Sequence, residues 1–226
     1  MPKTGESLRL SAEESAHARA RRLGTGDSVV LFDGSGQEAL ARVSVRSRGQ
    51  FEVVALRALE TGRVAPPLTL YVAGVRPDRL AWIAEKATEL AASRIVLLRT
   101  ERTQAFRAGE DLRDRLERVA RAAAKQCGAA RWPPIDGPLS TSEVLAQETA
   151  AHRLLLDPEG GPFPPALSDG ALALAVGPEG GWTAAEIRAA QASGWTPTSL
   201  PAGPLRTETA AVAGLVLARA ARERLG

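Results

Sequence analysis

An α/β domain preceded by a small β-rich module is the fold class this sequence predicts, and three observations predict it. After Pro67, continuous apolar runs alternate with amphipathic stretches at helical spacing. Before it, short apolar runs are separated by polar and glycine-containing turns. Between the two lies Arg63–Pro67, whose paired prolines make a natural boundary. The expected domains are therefore residues 1–66 and 67–226. A module of about 65 residues is marginal alone and gains from a neighbour.

In the first module, Ser11–Leu23 reads as a helix with Ser11 as its cap and Glu14 three residues on, a capping box. Ser28–Phe32, Glu38–Val45 and Phe51–Leu56 read as strands, the first two joined by the turn Asp33–Gly36. In the second, Leu68–Val75 has the continuous apolar character of a strand buried on both faces. Asp78 can cap a helix to about Ala92, with Leu80, Ile83, Ala87 and Leu90 on one face. Ile95–Leu98 then completes a βαβ unit. Leu112–Gln126 follows as a charged amphipathic helix with the stripe Leu112, Leu116, Val119 and Ala123. Leu154–Leu156 and Leu172–Val176 are short strands. Thr183–Ser193 is a helix with a Thr183/Glu186 capping box, and Ala210–Arg224 is the last helix.

Composition narrows the chemistry. The 29 basic residues barely exceed the 26 acidic ones, which does not by itself mark a nucleic-acid binder. Only three of the 29 are lysines (Lys3, Lys86 and Lys125), and arginine's planar fork suits phosphate and base edges. A GC-rich genome accounts equally for that bias. Cys127 is the single cysteine, and His17 and His152 lack the spacing of a zinc pair, so no disulfide and no cysteine-rich metal site is expected. Without a signal-like opening or a long apolar run, the expectation is a soluble cytoplasmic protein.

Two glycine- and polar-rich segments sit where an apolar run meets a helix-forming run. The first, Gly177-Pro178-Glu179-Gly180-Gly181-Trp182, falls beyond a strand's carboxyl end, where open α/β sheets bind ligands. It lacks the spacing of a dinucleotide or P-loop fingerprint, and Pro178 removes an N–H that a phosphate cradle would use. Gly180 and Gly181 still allow a ligand close to the main chain. A tight strand-to-helix turn explains the same residues. Pro158-Glu159-Gly160-Gly161 repeats four of these letters but runs into a proline-rich loop, so it reads as coincidence. The second segment, Leu205-Arg206-Thr207-Glu208-Thr209-Ala210, follows Leu200–Leu205, a shaped loop by its proline and glycine content. It reads either as a helix start with a solvated charge pair and Thr207 or Thr209 as cap, or as an arginine presented to an electron-rich group beside a carboxylate.

Taken together these motifs resemble the RsmE family of ribosomal RNA methyltransferases, within the SPOUT superfamily. The two segments carry the resemblance, supported by Glu85-Lys86-Ala87-Thr88-Glu89-Leu90, by Gln126-Cys127-Gly128, and by His17…Arg22…Gly26-Asp27 ahead of Asp33-Gly34. The resemblance implies a SPOUT-type parallel sheet with a C-terminal trefoil knot, preceded by a small PUA-like β-barrel that contacts RNA. It implies a homodimer, S-adenosyl-L-methionine as cofactor, and N3 of a specific uridine in 16S rRNA of the small ribosomal subunit as target, with no metal and no membrane. Gly177, Pro178, Glu179 and Gly180 would line the cofactor pocket, opposite Leu200, Pro201, Gly203 and Leu205. Arg206 would stabilise the uridine anion, and Glu208 would orient it or assist proton loss. RNA contacts are expected from Arg19, Arg21, Arg22, Lys86, Arg99 and Arg102. The chain departs from the family pattern at Pro201 and Ala91, where glycine is usual, and at Gly203 and Ala129, where arginine is usual. The rival readings are a ribose 2′-O-methyltransferase of the same fold, acting on rRNA or tRNA, and a non-catalytic RNA-binding or ribosome-assembly protein.

Overall fold

A computed structural model describes residues 1–47, 50–60, 65–103 and 106–223. Within the predicted boundary segment Arg63–Pro67, residues 63 and 64 lie outside the described residues, as does Arg224 of the predicted last helix. The chain divides into two compact units, residues 1–64 and 65–226.

The first unit holds β1 (Ser7–Arg9), α1 (Ala12–Ala20), β2 (Ser28–Phe32), β3 (Glu38–Ser47) and β4 (Gln50–Leu59). Its strands form an antiparallel sheet in the order β1-β4-β3-β2, within the small β-rich module expected. Alternation in β4 turns Phe51 and Val53 inward, and with Ala41 and Val43 of β3 and Ala18 of α1 they make a core. The short, half-polar β1 was not anticipated from the pattern. Ser11 caps α1 as expected, accepting from the Glu14 N–H at 3.2 Å while the Glu14 carboxylate accepts from the Ser11 N–H at 3.0 Å.

The second unit is a three-layer α/β/α domain. Its elements are β5 (Leu68–Ala73), α2 (Pro77–Glu89), β6 (Arg94–Arg99), a 3-10 turn (Glu101–Thr103), α3 (Glu110–Cys127), β7 (Ile135–Ser140), α4 (Thr141–Gln147), β8 (His152–Pro162), β9 (Leu172–Val176), α5 (Ala184–Ala192), β10 (Thr196–Ser199) and α6 (Thr207–Glu223). All six strands run parallel, in the order β10-β8-β9-β5-β6-β7. Every residue of β9 is buried, as its unbroken apolar run requires. One face of the sheet packs on α2, α3 and α6 through Leu80, Ile83, Leu116 and Leu215. The other carries α4 and α5, with Val144, Ala190, Trp182 and Trp195 in its core.

Several elements differ from expectation for local reasons. Helix α2 is capped by Arg76 with Pro77 at its first position, not by Asp78, because proline's fixed φ suits a helix start. Strand β7 and helix α4 were not foreseen, since Gly137 and Pro138 disguise the strand. A Cβ on Gly137 would come within 2.5 Å of the Leu97 carbonyl, and its φ is +93°, so only glycine lets β7 lie against β6 here. Strand β8 continues through Pro158–Gly161, well past the expected strand Leu154–Leu156. It pairs there with β10 across a shift in register, and a Cβ on Gly160 would meet the Thr198 nitrogen at 2.4 Å. Helix α6 begins at Thr207, three residues earlier than expected.

At the end of α2 the chain reverses with Ala91 in the left-handed conformation, φ +53°. The Ala92 N–H donates to Ala87 O at 2.8 Å and the Ala91 N–H to Thr88 O at 2.9 Å, a Schellman pair. An alanine held there costs about 1–2 kcal/mol, while glycine adds about 0.4–1 kcal/mol of unfolded-chain freedom. Ala91→Gly is therefore expected to stabilise the protein by roughly 0.5 kcal/mol. A higher urea midpoint at unchanged slope would show it.

Candidate cofactor and RNA site

The middle of β8 and the carboxyl ends of β9 and β10 open onto one cleft. Its walls are Leu156, Asp157 and Pro158 from β8, Val176–Glu179, Gly181 and Trp182 after β9, and Thr198, Leu200, Ala202–Leu205, Thr207 and Ala210 around the start of α6. The two segments singled out in the sequence thus face each other. The β8 segment Pro158–Gly161 is not incidental either, because Pro158 stands in the same wall.

Four contacts hold the β9–α5 loop. The Trp182 indole N–H donates to the Leu156 carbonyl at 2.9 Å, tying the loop to β8. The Gly181 N–H donates to Pro178 O at 2.8 Å with φ +71° at Gly181, so the turn needs glycine. The Thr207 hydroxyl donates to the Gly177 carbonyl at 3.0 Å, joining the two segments directly. Arg102 donates to the Gly180 carbonyl, and a Cβ on Gly180 would lie 3.2 Å from the Arg102 Cδ.

Glu186 underlies this arrangement and is 5% exposed. One carboxylate oxygen accepts from the Glu101 N–H and from the Thr141 hydroxyl, both at 3.0 Å. The other accepts from the Thr183 N–H at 3.0 Å and the Thr183 hydroxyl at 3.3 Å. The capping box was legible in sequence. The first oxygen, which joins the α5 start to the 3-10 turn and to α4, was not.

The expected site residues distribute unevenly. Gly177, Pro178, Glu179, Leu200, Gly203 and Leu205 line the cleft. Gly180 is in the loop but outside the lining, its carbonyl taken by Arg102. Pro201 lines a neighbouring apolar recess with Phe163, Pro165 and Leu217. Arg206 is exposed, between the two cleft residues Leu205 and Thr207, and its carbonyl accepts from the Ala210 N–H at 2.8 Å. Thr207, expected as a possible cap, instead lies inside the helix. Glu208 is not in the lining: it faces α2, where its carboxylate pairs with Arg79, and its second oxygen is buried without a partner. That pairing crosses two helices distant in sequence and has no local signature.

Among the residues expected to contact RNA, Arg19, Arg21 and Arg22 are exposed around the end of α1. Arg22 adopts φ +58°, with the Leu23 N–H donating to Ala18 O at 3.0 Å. Lys86 is engaged by Glu85 at 2.7 Å and Glu89 at 2.9 Å. Its ammonium is held above the ordinary lysine value, first by the hydrogen bond to Glu85 and then by that to Glu89. Arg99 is half-buried at the end of β6, with its Nε unpartnered. No group of histidine, cysteine and carboxylate side chains among the described residues could hold a metal ion, and no described helix is long and apolar enough to cross a membrane.

The cleft suits a phosphate-free nucleoside cofactor. Glycine and proline recur in both lips, Val176, Trp182 and Leu205 give apolar wall, and proline occupies the place where a phosphate cradle would need an N–H.

Comparison with known proteins agrees. An RNA methyltransferase domain profile matches residues 63–219, and an RNA methyltransferase PUA domain profile matches residues 10–56. A ribosomal RNA small subunit methyltransferase E from Mycobacterium bovis is 34% identical, over 95% of this chain and 87% of the relative. One from Synechocystis is 31% identical, over 87% of this chain and 67% of the relative. A methyltransferase-like protein from Legionella pneumophila, solved in complex with bound S-adenosylmethionine, superposes with a TM-score of 0.83 at 28% identity, covering 97% of this chain and 94% of that one. A ribosomal RNA small subunit methyltransferase E from Neisseria gonorrhoeae shares the fold, with a TM-score of 0.80 at 24% identity over 96% of this chain and 92% of that one. With a domain profile across the α/β unit and relatives matched over most of both chains, this chain belongs to the family of ribosomal RNA small subunit methyltransferases E.

Proposed function

We propose that this protein methylates N3 of a specific uridine in 16S rRNA, using S-adenosylmethionine bound in the cleft between the two glycine-rich segments. The observation that carries the reading is the single cleft with both segments as its walls, joined by the Thr207–Gly177 hydrogen bond. Gly177, Pro178, Glu179, Leu200, Gly203 and Leu205 would hold the cofactor through main-chain and apolar contacts, joined by Leu156, Asp157 and Trp182. Gly180 and Pro201 would act by shaping the two loops. When bound, the cofactor supplies an electrophilic methyl group on a sulfonium.

The protein's own part is to bind the base, let its imide proton pass to solvent water and stabilise the anion that remains. Arg206, exposed between two cleft residues, would donate to uridine O2 or O4, where that charge resides. Glu208 would hold the start of α6 against α2 through Arg79, and it is not suited to accept the proton because it does not line the cleft. Arg19, Arg21, Arg22, Arg99 and Arg102 would contact RNA, with Lys86 less available because two carboxylates hold it. The reading also includes a trefoil knot around the cleft, a PUA-type RNA contact from the first unit, a homodimer and a cytoplasmic setting.

Methyl transfer to small subunits lacking the modification, followed by nucleoside identification, tests the proposal. N3-methyluridine is the expected product. A 2′-O-methyl nucleoside would move the chain to the ribose-modifying class, and absence of S-adenosylmethionine binding by calorimetry would leave only an RNA-binding or assembly role.

A further inference from the structure

In the α/β unit Arg79 pairs with Glu208, Lys86 with Glu85 and Glu89, and Arg94 with Asp136. The second half of α3 and the segment after it carry bases in a stretch of sequence without acids. The acids of α3 (Glu110, Asp111, Asp114 and Glu117) all lie in its first half, and no carboxylate follows until Asp136, which Arg94 engages at 2.6 Å. The acid-free stretch carries Arg118, Arg121, Lys125 and Arg131.

Helical spacing puts Arg118, Arg121 and Lys125 along one line, about 10 Å long at 1.5 Å per residue. The core side of the helix is taken by Leu116, Ala120, Ala123 and Ala124. Arg118, Arg121 and Arg131 are exposed, and among the described residues none of the three pairs with a carboxylate. The Arg121 guanidinium lies over the Trp132 ring, 5.3 Å from its centroid, which brings the segment after the helix alongside it. The helix dipole explains acids first and bases last within α3. It does not explain Arg131, which lies beyond the helix, or the stacking of Arg121 on Trp132.

We propose that this face is a second RNA-anchoring surface, which grips phosphates of the substrate away from the target base. The inference rests on the reading of the chain as an RNA methyltransferase. Arginine forks pair with phosphate oxygens bidentately, and the tryptophan beneath Arg121 fixes the orientation of its fork. In a parallel α/β unit, α3 starts beyond the carboxyl end of β6 and returns to the start of β7. Its basic half therefore lies at the end of the sheet opposite the cleft. The surface contributes affinity and register, not chemistry.

The test combines Arg118→Glu, Arg121→Glu and Arg131→Glu, with the three glutamine substitutions as a milder variant that keeps helix propensity. KM for the RNA substrate should rise about tenfold or more, and the slope of log affinity against log salt should fall by about 2–3. Turnover at saturating RNA and the calorimetric affinity for S-adenosylmethionine should match the parent. Unchanged RNA affinity and salt slope, in variants that unfold at the parent's temperature, would overturn the proposal. So would weaker binding to assembled subunits with unchanged binding to protein-free RNA, which would make the face a protein contact. Failure of the parent itself to methylate RNA would instead remove the functional reading on which the surface depends.

Discussion

Arg206→Ala should lower methyl transfer by about 100-fold or more, the scale of losing one donor to a developing anion. The expectation follows from the base. Methylation at the imide nitrogen requires that nitrogen's proton to leave, and the resulting charge spreads to the two flanking carbonyl oxygens. A fixed guanidinium favours that anion over the neutral ground state, so its loss belongs in turnover and not in substrate binding. Arg206 adds nothing to the cleft lining, so affinity for S-adenosylmethionine should stay at the parent value. Arg206→Lys keeps the charge but loses the fork and should fall between the two. Single-turnover rates on unmodified small subunits provide the measurement. A parent-like rate for Arg206→Ala would remove this residue from the mechanism.

Glu186→Ala should be the most damaging single change outside the cleft. It strips the acceptor from the Thr183 N–H and hydroxyl, the Glu101 N–H and the Thr141 hydroxyl together. Each of these partly buried donors left without its acceptor costs about 1 kcal/mol. With partial relaxation, a loss of about 3 kcal/mol is expected, or roughly 6–12 °C in Tm for a protein of this size. Glu186→Gln fills the same space but turns an amide NH2 toward donors on one side, so it should recover only part of that loss. Because Glu186 anchors the start of α5, both variants should also weaken S-adenosylmethionine binding. Thermal unfolding with calorimetry on the same samples measures both effects. Parent stability for Glu186→Ala would show that the carboxylate's four contacts do not hold the loop.

Elements whose neighbours are apolar on both sides were legible in the sequence, and those held by neighbours alone were not. The run Leu172–Val176 announces a central strand, because nothing else explains five consecutive apolar residues between breakers. Thr196–Ser199 contains a proline and two threonines and is a strand only because the bulged end of β8 offers it partners. The same limit applies to the site. Gly177–Gly181 and Leu200–Leu205 were recognisable because glycine and proline mark places where backbone must approach or turn. Leu156–Pro158 sat in an ordinary strand-to-loop reading, and only the sheet order brings it to the cleft. Likewise Glu208 read as half of a solvated charge pair, or as a carboxylate serving Arg206, until α2 packed beside α6 and supplied Arg79.

Arg222, near the end of α6, donates to the carbonyls of Pro66, Pro67 and Gly170 at 2.8–2.9 Å. One guanidinium thus stitches the last helix to the point where the chain enters the α/β unit and to the loop before β9. The unit's entry and exit are adjacent, so it behaves as a nearly closed ring of chain with a single doorway. Loosening the last turn of α6 would therefore free the start of the unit and the approach to β9 at the same time, although both are far from it in sequence.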